Sequence, residues 1–195
     1  MCIRDSVSSV TRGLSNLQVH IENMKKFNSN IIVALNRFSS DTVEEIEVVK
    51  NFCKNLGVAF SICDAYSRGS AGALDLAEVT LGVLDNENNF KLLYDDNLSI
   101  KEKIEKICKK IYGAEKVILS EEAQNSIKMI ENLGYSNLPI CIAKTQYSFS
   151  DDPKNLECKA PFSINVKDIN LKAGAEFIVC LLYTSPSPRD RSLSR

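Results

Sequence analysis

Two short apolar segments separated by an amphipathic helix constrain the fold of this chain more than any other feature. The first segment, 31–35, is followed by the turn residues 39–41, and the second, 58–63, is followed by a glycine-containing loop. Between them, apolar residues recur every three or four positions, which is typical of a helix with one buried face. A helix that links two apolar strands predicts a βαβ unit, in which both strands belong to one parallel sheet.

The ends and the buried faces of the helices in this region are also marked. Asp41 is the expected N-cap of the linking helix, with Glu44 three residues later in a capping-box pattern, and Gly57 is the expected stop. A preceding helix over 13–28 and a following helix over 73–84 continue the alternation. The residues predicted to face inward are Leu14, Leu17, Ile21 and Met24 in the first helix and Val43, Ile46, Val49, Cys53 and Leu56 in the second.

The residues that directly follow the two strands are the first candidates for a binding site. Asn36, Arg37 and Phe38 follow the first strand, and Tyr66 lies just after the second. Ligands of parallel sheets bind at the carboxyl ends of the strands, so the two aromatic side chains are expected to face each other across one cleft. They would either stack on a flat heterocycle or pack in the ordinary way, and ordinary packing is the commoner role of such aromatics.

A change in composition divides the chain into two predicted domains. A polar, irregular segment over 85–98 is predicted to link a first domain over 7–84 to a second domain over 99–179. The second begins with an amphipathic helix capped by Ser99, whose alternating charges over 101–110 are interpreted as a solvated face. A helix over 120–134, a strand beginning at 138 and strands over 162–171 and 174–179 follow, which predicts an α/β domain followed by a smaller α+β domain.

The two ends of the chain are related at the level of their codons. The codons for "MCIRDS" at 1–6 can be read as the reverse complement of those for "CLLYTS" at 180–185. Two ends of a protein have no physical reason to be related in this way, whereas a sequencing adapter read from both sides produces the relation. Residues 1–6 and 180–195 are therefore interpreted as an adapter artefact, in preference to a disordered tail.

Composition excludes several classes of function. Without the two ends, which hold four of the 24 basic and two of the 25 acidic residues, the net charge is −3, and no basic excess favours nucleic acid. Five widely spaced cysteines and the single His20 predict neither a disulfide framework nor a metal site. No apolar run approaches the ~20 residues of a membrane span, and no signal peptide is visible. The expected class is a cytoplasmic globular fragment whose cysteines are mostly buried thiols.

Two loops contain residues suited to binding, and each also has a purely structural interpretation. Segment 67–72, SRGSAG, precedes a helix and could bind an anion through backbone N–H groups, although a sharp turn alone requires small residues. Segment 144–153, KTQYSFSDDP, combines a cation, an amide, hydroxyls and two carboxylates, although its last three residues are ordinary turn chemistry. The phosphate loop G-x-x-x-x-G-K-[ST] is absent from the sequence.

Six segments carry a family resemblance, in order along the chain. They are HIENMKKF (20–27), VALNRFSSDTVEEIE (33–47), NNFKLLYD (88–95), IKEKIEKICKKIYGAEKV (100–117), LPICIAKTQYSFSDDP (138–153) and LKAGAEFIV (171–179). Together they resemble the C-terminal part of formate–tetrahydrofolate ligase (10-formyltetrahydrofolate synthetase), from about Gly13 to Val179. The resemblance implies the end of a parallel-sheet, P-loop-type nucleotide domain, followed by the smaller domain.

The resemblance also implies a chemistry. ATP phosphorylates formate, and N10 of tetrahydrofolate attacks the formyl phosphate to give 10-formyltetrahydrofolate. ATP with Mg²⁺ is the implied cofactor, tetrahydrofolate and formate are the implied substrates, a monovalent cation is a candidate activator, and the full-length family is typically a homotetramer. The family's phosphate loop lies in the N-terminal half, so this fragment is predicted to be inactive alone. The alternative is a non-catalytic α/β nucleotide-binding or assembly module.

Site residues can be carried over position by position from the resemblance. Phe38 and Tyr66 are implied to sandwich the pterin ring of the folate. Tyr66 stands where the family usually has Trp, and Ser70 replaces a second Gly, so weaker folate binding or a variant pocket is implied. The remaining implied residues are Asn36, Arg37, Arg68 and Gly69 for the substrate or phosphate loop, and Ser148 and Pro153 for the adenine side of the nucleotide. No catalytic residue and no metal ligand is assigned.

Overall fold

The chain forms two compact units that divide between Leu92 and Leu93, inside the segment assigned above to a linker. The computed structural model describes residues 7–143 and 161–182. Within that part of the chain, no helix is both long enough and apolar enough to cross a membrane.

The first unit contains the predicted βαβ arrangement. Its elements are α1 (Val7–Lys25), β1 (Ile32–Asn36), α2 (Val43–Asn55), β2 (Ala59–Cys63), α3 (Ala65–Arg68), a 3-10 turn (Gly69–Ala73) and α4 (Leu74–Leu84). β1 and β2 pair in parallel, with Ile32 opposite Ala59 and Asn36 opposite Cys63. The prediction of a parallel sheet is therefore confirmed, and the segment predicted as a loop after β2 is mostly helical.

The apolar core of the first unit is a small cluster. It consists of Ile21, Cys53 and Val58, with partly buried neighbours around them, and Ile46 is buried outside it. The predicted inward positions of Met24 and Val43 are wrong, since these side chains are 54% and 68% exposed. Val43 is the first residue of α2, directly after the N-cap.

The capping box of α2 is present but lies one residue later than predicted. Thr42, not Asp41, is the N-cap: its hydroxyl accepts from the Glu45 N–H at 3.3 Å, and its own N–H donates to the Glu45 carboxylate at 3.0 Å. Asp41 instead accepts from the N–H of Phe38 at 2.7 Å. The sequence contains two possible capping boxes, Asp41 with Glu44 and Thr42 with Glu45. Because the Asp41 carboxylate is used in its bond to Phe38, the second capping box forms.

In the described part of the second unit, two pairs of strands are parallel and one pair is antiparallel. Its elements are α5 (Ile100–Lys110), β3 (Lys116–Leu119), α6 (Glu121–Asn132), β4 (Ile140–Ala143), β5 (Ser163–Val166), β6 (Asp168–Lys172), a 3-10 turn (Ala173–Ala175) and β7 (Phe177–Leu181). β3 pairs with β5 and β4 with β7 in parallel, and β6 pairs with β7 in the antiparallel sense. The two parallel pairings make this unit α/β rather than the predicted α+β, and β3 is a strand that the sequence analysis did not predict.

A continuous core holds the second unit together. Its buried members are Ile100, Ile104, Cys108, Ala114, Ala123, Ile127, Ile130, Ile164, Val166, Ile169, Ile178, Cys180 and Leu182. β7 thus continues past residue 179, where the sequence analysis ended the domain, because Ile178, Cys180 and Leu182 alternate inward. The Ser99 cap is confirmed, with Glu102 completing a capping box.

Lys103 departs from the solvated face predicted for α5. Its side chain is fully buried, and its ammonium donates to the carbonyls of Ser136 at 2.8 Å and Leu138 at 3.1 Å. Burial lowers the pKa of Lys103, while the nearby Asp96 and Asp95 oppose that effect. The lysine therefore fixes the turn before β4 to the helix.

Candidate functional site

The carboxyl ends of β1 and β2 form one edge of the sheet in the first unit. The N–H of Arg37 donates to the carbonyl of Cys63 at 2.9 Å, so the strands stay paired to their ends. Phe38 and Tyr66 leave the sheet at this edge, two and three residues beyond the last pair. We call Asn36, Arg37, Phe38, Tyr66, Arg68 and Gly69 the strand-end site.

Both aromatic side chains of the strand-end site are exposed. Phe38 is 68% exposed and Tyr66 is 100% exposed. A fully exposed ring packs on nothing, so the two rings do not stack on each other, and ordinary packing does not account for Tyr66 within the described residues. Two largely exposed aromatics at one sheet edge offer ring surface to a ligand.

A closed turn fixes the backbone beneath Phe38. The N–H of Phe38 donates to the carboxylate of Asp41 at 2.7 Å, and the N–H of Asp41 donates back to the carbonyl of Phe38 at 3.1 Å. The ring therefore projects from a fixed backbone rather than from a free loop. Sequence reasoning missed this role of Asp41, although its place among turn residues was the available signal.

Tyr66 and Arg68 are presented by a loop that is fixed at both ends. The N–H of Asp64 donates to the carbonyl of Gly72 at 2.9 Å, and the N–H of Arg68 donates to the carbonyl of Asp64 at 3.0 Å. A Cβ at Gly72 would lie 2.2 Å from the Asp64 carbonyl oxygen, so only glycine allows this closure. Gly72 is thus a supporting residue that the sequence analysis named only as part of the loop.

A serine below this loop ties helix α4 to the sheet. The hydroxyl of Ser61, which is buried in β2, donates to the carboxylate of Asp75 at 2.5 Å. Asp75 lies in the first turn of α4, where a carboxylate also interacts favourably with the helix dipole. The short contact anchors the start of α4 under the loop that presents Tyr66.

The two arginines give the strand-end site its charge. Arg37 and Arg68 are both exposed, and neither forms a salt bridge within the described ranges 7–143 and 161–182. A guanidinium group binds carboxylate or phosphate with two parallel hydrogen bonds. The site therefore combines two free aromatic rings with two cations, which suits a flat ring that carries an anionic group.

A small cavity lies behind this edge, on the side of α1 and α2. Its volume is about 190 Å³, and it is lined by Val10, Leu35, Asn36, Ser40, Asp41, Glu45, Ile46 and Val49. Pockets for drug-sized ligands usually measure about 300–1,000 Å³. Since the carboxylates of Asp41 and Glu45 are already used in the turn and the cap, we do not assign the ring-binding role to this cavity.

Two other predicted groups of residues are not brought to this site by the described structure. Ser148 and Pro153, with the rest of segment 144–153, lie outside the described residues. In the part that is described, no group of three or more His, Cys, Asp or Glu side chains could hold a metal ion. Cys53 and Cys108 are buried as predicted, whereas Cys141 is exposed.

The described structure is that of an α/β protein with a candidate binding site at the carboxyl ends of parallel strands. The sequence model of formate–tetrahydrofolate ligase matches residues 2–185. The chain therefore belongs to the formate–tetrahydrofolate ligase family.

Two relatives show how much of that family the chain represents. It is 47% identical over 176 residues to the formate–tetrahydrofolate ligase of Petrotoga mobilis (strain DSM 10674 / SJ95), which covers 90% of this chain and 32% of the relative. It is 44% identical over 179 residues to the formate–tetrahydrofolate ligase of Campylobacter concisus (strain 13826), covering 91% and 33%. The chain thus spans about a third of the length of the curated relatives it matches.

Proposed function

We propose that this chain is part of an ATP-dependent ligase that makes 10-formyltetrahydrofolate from formate and tetrahydrofolate through formyl phosphate. The observation that carries the proposal is the pair of exposed aromatics, Phe38 and Tyr66, at one edge of a parallel sheet in a member of this family. In the proposal, the two rings hold the pterin of the folate between them. Arg37 and Arg68 then meet a carboxylate or phosphate group of a substrate.

For this chemistry the protein must position the reactants and stabilise developing charge, and it does not need to supply a covalent nucleophile. ATP with Mg²⁺ activates formate, and N10 of the folate displaces phosphate from the formyl phosphate. Holding N10 against the acyl carbon turns a bimolecular encounter into an intramolecular step, and fixed cations stabilise the charge that develops. The strand-end site supplies the first of these contributions by orienting the pterin.

Other parts of the proposal rest on the family resemblance alone. Ser148 and Pro153 are proposed on the adenine side of the nucleotide, Asn36 and Gly69 in the substrate loop, and a monovalent cation as an activator. The whole enzyme is proposed to be a cytoplasmic homotetramer whose phosphate loop lies outside this sequence. A nucleotide domain of the P-loop type is likewise proposed for the first unit, which contains no such loop.

A chimeric enzyme tests the proposal. Residues 7–179 would replace the matching segment of the Petrotoga mobilis ligase, and formation of 10-formyltetrahydrofolate from formate and ATP would be measured. We expect the chimera to be active. The alternative of a non-catalytic nucleotide-binding or assembly module predicts a folded chimera that makes no product, and that result would overturn the proposed function.

Substitutions in the chimera test the stacking role. Phe38→Ala and Tyr66→Ala should each weaken tetrahydrofolate binding by roughly 2- to 12-fold, since an aromatic pair contributes about 0.5–1.5 kcal/mol. Tyr135→Ala is the control, because Tyr135 is a partly exposed aromatic of the second unit. Unchanged affinity in both site variants would remove the two rings from the folate site.

A further inference from the structure

Helix α4 is as apolar as a helix in a protein interior, yet it lies at the surface of the described structure. Its sequence is LDLAEVTLGVL, yet none of its residues is buried. Leu74, Leu81 and Leu84 are 61%, 65% and 72% exposed. At 100° per residue these three positions fall within one arc of about 80°, so they form a continuous apolar stripe on the outer face of the helix.

The inner face of α4 already has its partner. Residues 76, 79, 80 and 83 are half-buried, and the helix packs on β2 and β1. A helix that is apolar on opposite faces is normally covered on both, because water contact with the second face is unfavourable. The outer stripe therefore requires a second covering element that the described part of the first unit does not provide.

Within the described residues, the sheet beneath α4 has only two strands, and β1 has no strand beside its outer edge. The bonds from Ala59 to Ile31 and from Arg37 to Cys63 fix which backbone groups point between β1 and β2. By the alternation of a parallel ladder, the groups of Ile32, Ala34 and Asn36 point to the free edge of β1. Parallel sheets are ordinarily covered on both faces, and two-stranded sheets are marginal by themselves.

We infer that the outer face of α4 is an internal packing surface, covered by polypeptide from the part of the ligase sequence that lies outside the region matched here. The size of that part supports this occupant, because the curated relatives extend over roughly twice as much additional sequence as this chain represents. The open sheet edge supports it as well, since a larger parallel sheet would cover the same unit. This inference rests on family membership and not on the folate site.

Thiol labelling can measure whether the stripe is covered. Leu81→Cys would be introduced both into the 195-residue chain and into the chimera with the Petrotoga mobilis ligase, and its labelling rate would be followed by peptide mass spectrometry. Met129→Cys is the matched control, because Met129 is a 56% exposed helical residue of the second unit. Mapping by peptide separates both from the native exposed Cys141.

We expect the thiol at position 81 to react rapidly in the isolated chain and at least ~10-fold more slowly in the chimera, relative to the Met129→Cys control. Equal relative rates in the two proteins would overturn the inference. So would slow labelling in the isolated chain that becomes faster on dilution, since a second copy of the chain would then be the occupant. The assay contains no substrate, so an inactive but folded chimera overturns the proposed function without affecting this result.

Discussion

The two units of this chain share one local signal, a capping box on one helix of each, and reach different degrees of burial. Among the described residues, thirteen apolar side chains are buried in the second unit, against Ile21, Ile46, Cys53 and Val58 in the first. Of the fourteen large apolar side chains that are exposed in the same ranges, ten lie in the first unit. Helices α2 and α5 have the same capping box, so the local signal is matched for this pair, whereas α4 has no side-chain cap and is apolar on its outer face. The difference in burial therefore depends on the neighbours that are available to cover each face, in addition to the local signals of each helix.

The candidate site lies on the less buried of the two units. Phe38 and Tyr66 share that unit with the exposed stripe of α4. Exposed apolar residues therefore have two different meanings there. Those at the strand ends stand on backbone fixed by hydrogen bonds and are suited to a ligand, whereas those on α4 form a stripe that is suited to a protein neighbour.

Truncation of the second core should have the largest effect on stability. Ile130 is fully buried in α6, so Ile130→Ala is expected to cost about 2–5 kcal/mol through lost transfer energy and the cavity that remains. Ile46→Ala in the first unit is the matched variant, at 7% exposure, and should cost about 2 kcal/mol, the lower end of the same range, because a less enclosed site can relax. Native-state hydrogen exchange would report on the two units separately.

Equal losses from the two truncations would contradict the contrast between the units. So would a loss of protection in the first unit when Ile130 is truncated. That result would mean that the small cluster of the first unit depends on the core of the second, rather than unfolding as a separate cooperative region.

Alkaline pH should weaken the second unit through its buried acidic groups, which include the side chains of Cys108 and Tyr112 and the thiol of Cys180, whose pKa burial also raises. Burial raises the pKa of Cys108 from 9.0 to about 12 and the pKa of Tyr112 from 10.0 to about 12. The unfolded chain therefore loses these protons before the folded chain does. Their contribution to stability is complete below about pH 9 and falls as pH rises towards 12, by at most about 1.4 kcal/mol per pH unit for each group.

Urea denaturation followed by circular dichroism at pH 8 and pH 10 would measure this dependence. Cys108→Val should make the fall in unfolding free energy shallower. Cys53→Val is the corresponding change in the first unit, where burial also raises the pKa of the thiol. An alkaline slope that is unaffected by Cys108→Val would remove that thiol as a cause.

The sequence was sufficient for features that depend on near neighbours and insufficient for those that depend on distant ones. Two apolar segments separated by an amphipathic helix predicted the parallel pairing of β1 and β2, because two strands that are joined by a helix and belong to one sheet usually run in the same direction. The same reasoning placed Lys103 in solvent, because the carbonyls of Ser136 and Leu138 that accept its hydrogen bonds lie more than thirty residues away in the sequence. The stripe of α4 was unpredictable for the same reason.

The strand-end site was predicted in part. Topology alone was enough to place Phe38 and Tyr66 at one edge. It could not say that both rings are free, since exposure depends on every element that might have covered them. Nor could it show that Gly72 closes the loop, because the conflict between a Cβ and the carbonyl of Asp64 exists only in the folded conformation.

Removal of the two capping boxes should have the smallest effect and is the sharpest test of the comparison. Thr42 with Glu45 caps α2, and Ser99 with Glu102 caps α5, in the same reciprocal geometry. Thr42→Ala and Ser99→Ala should each cost about 1 kcal/mol, measured by hydrogen exchange of the helix that follows. Equal losses would mean that the local contribution is the same in both units, and that the whole difference between them comes from burial. A markedly smaller loss at Thr42 would mean instead that α2 already frays at its first turn, where Val43 is exposed, and that the open surface of the first unit weakens its local structure as well.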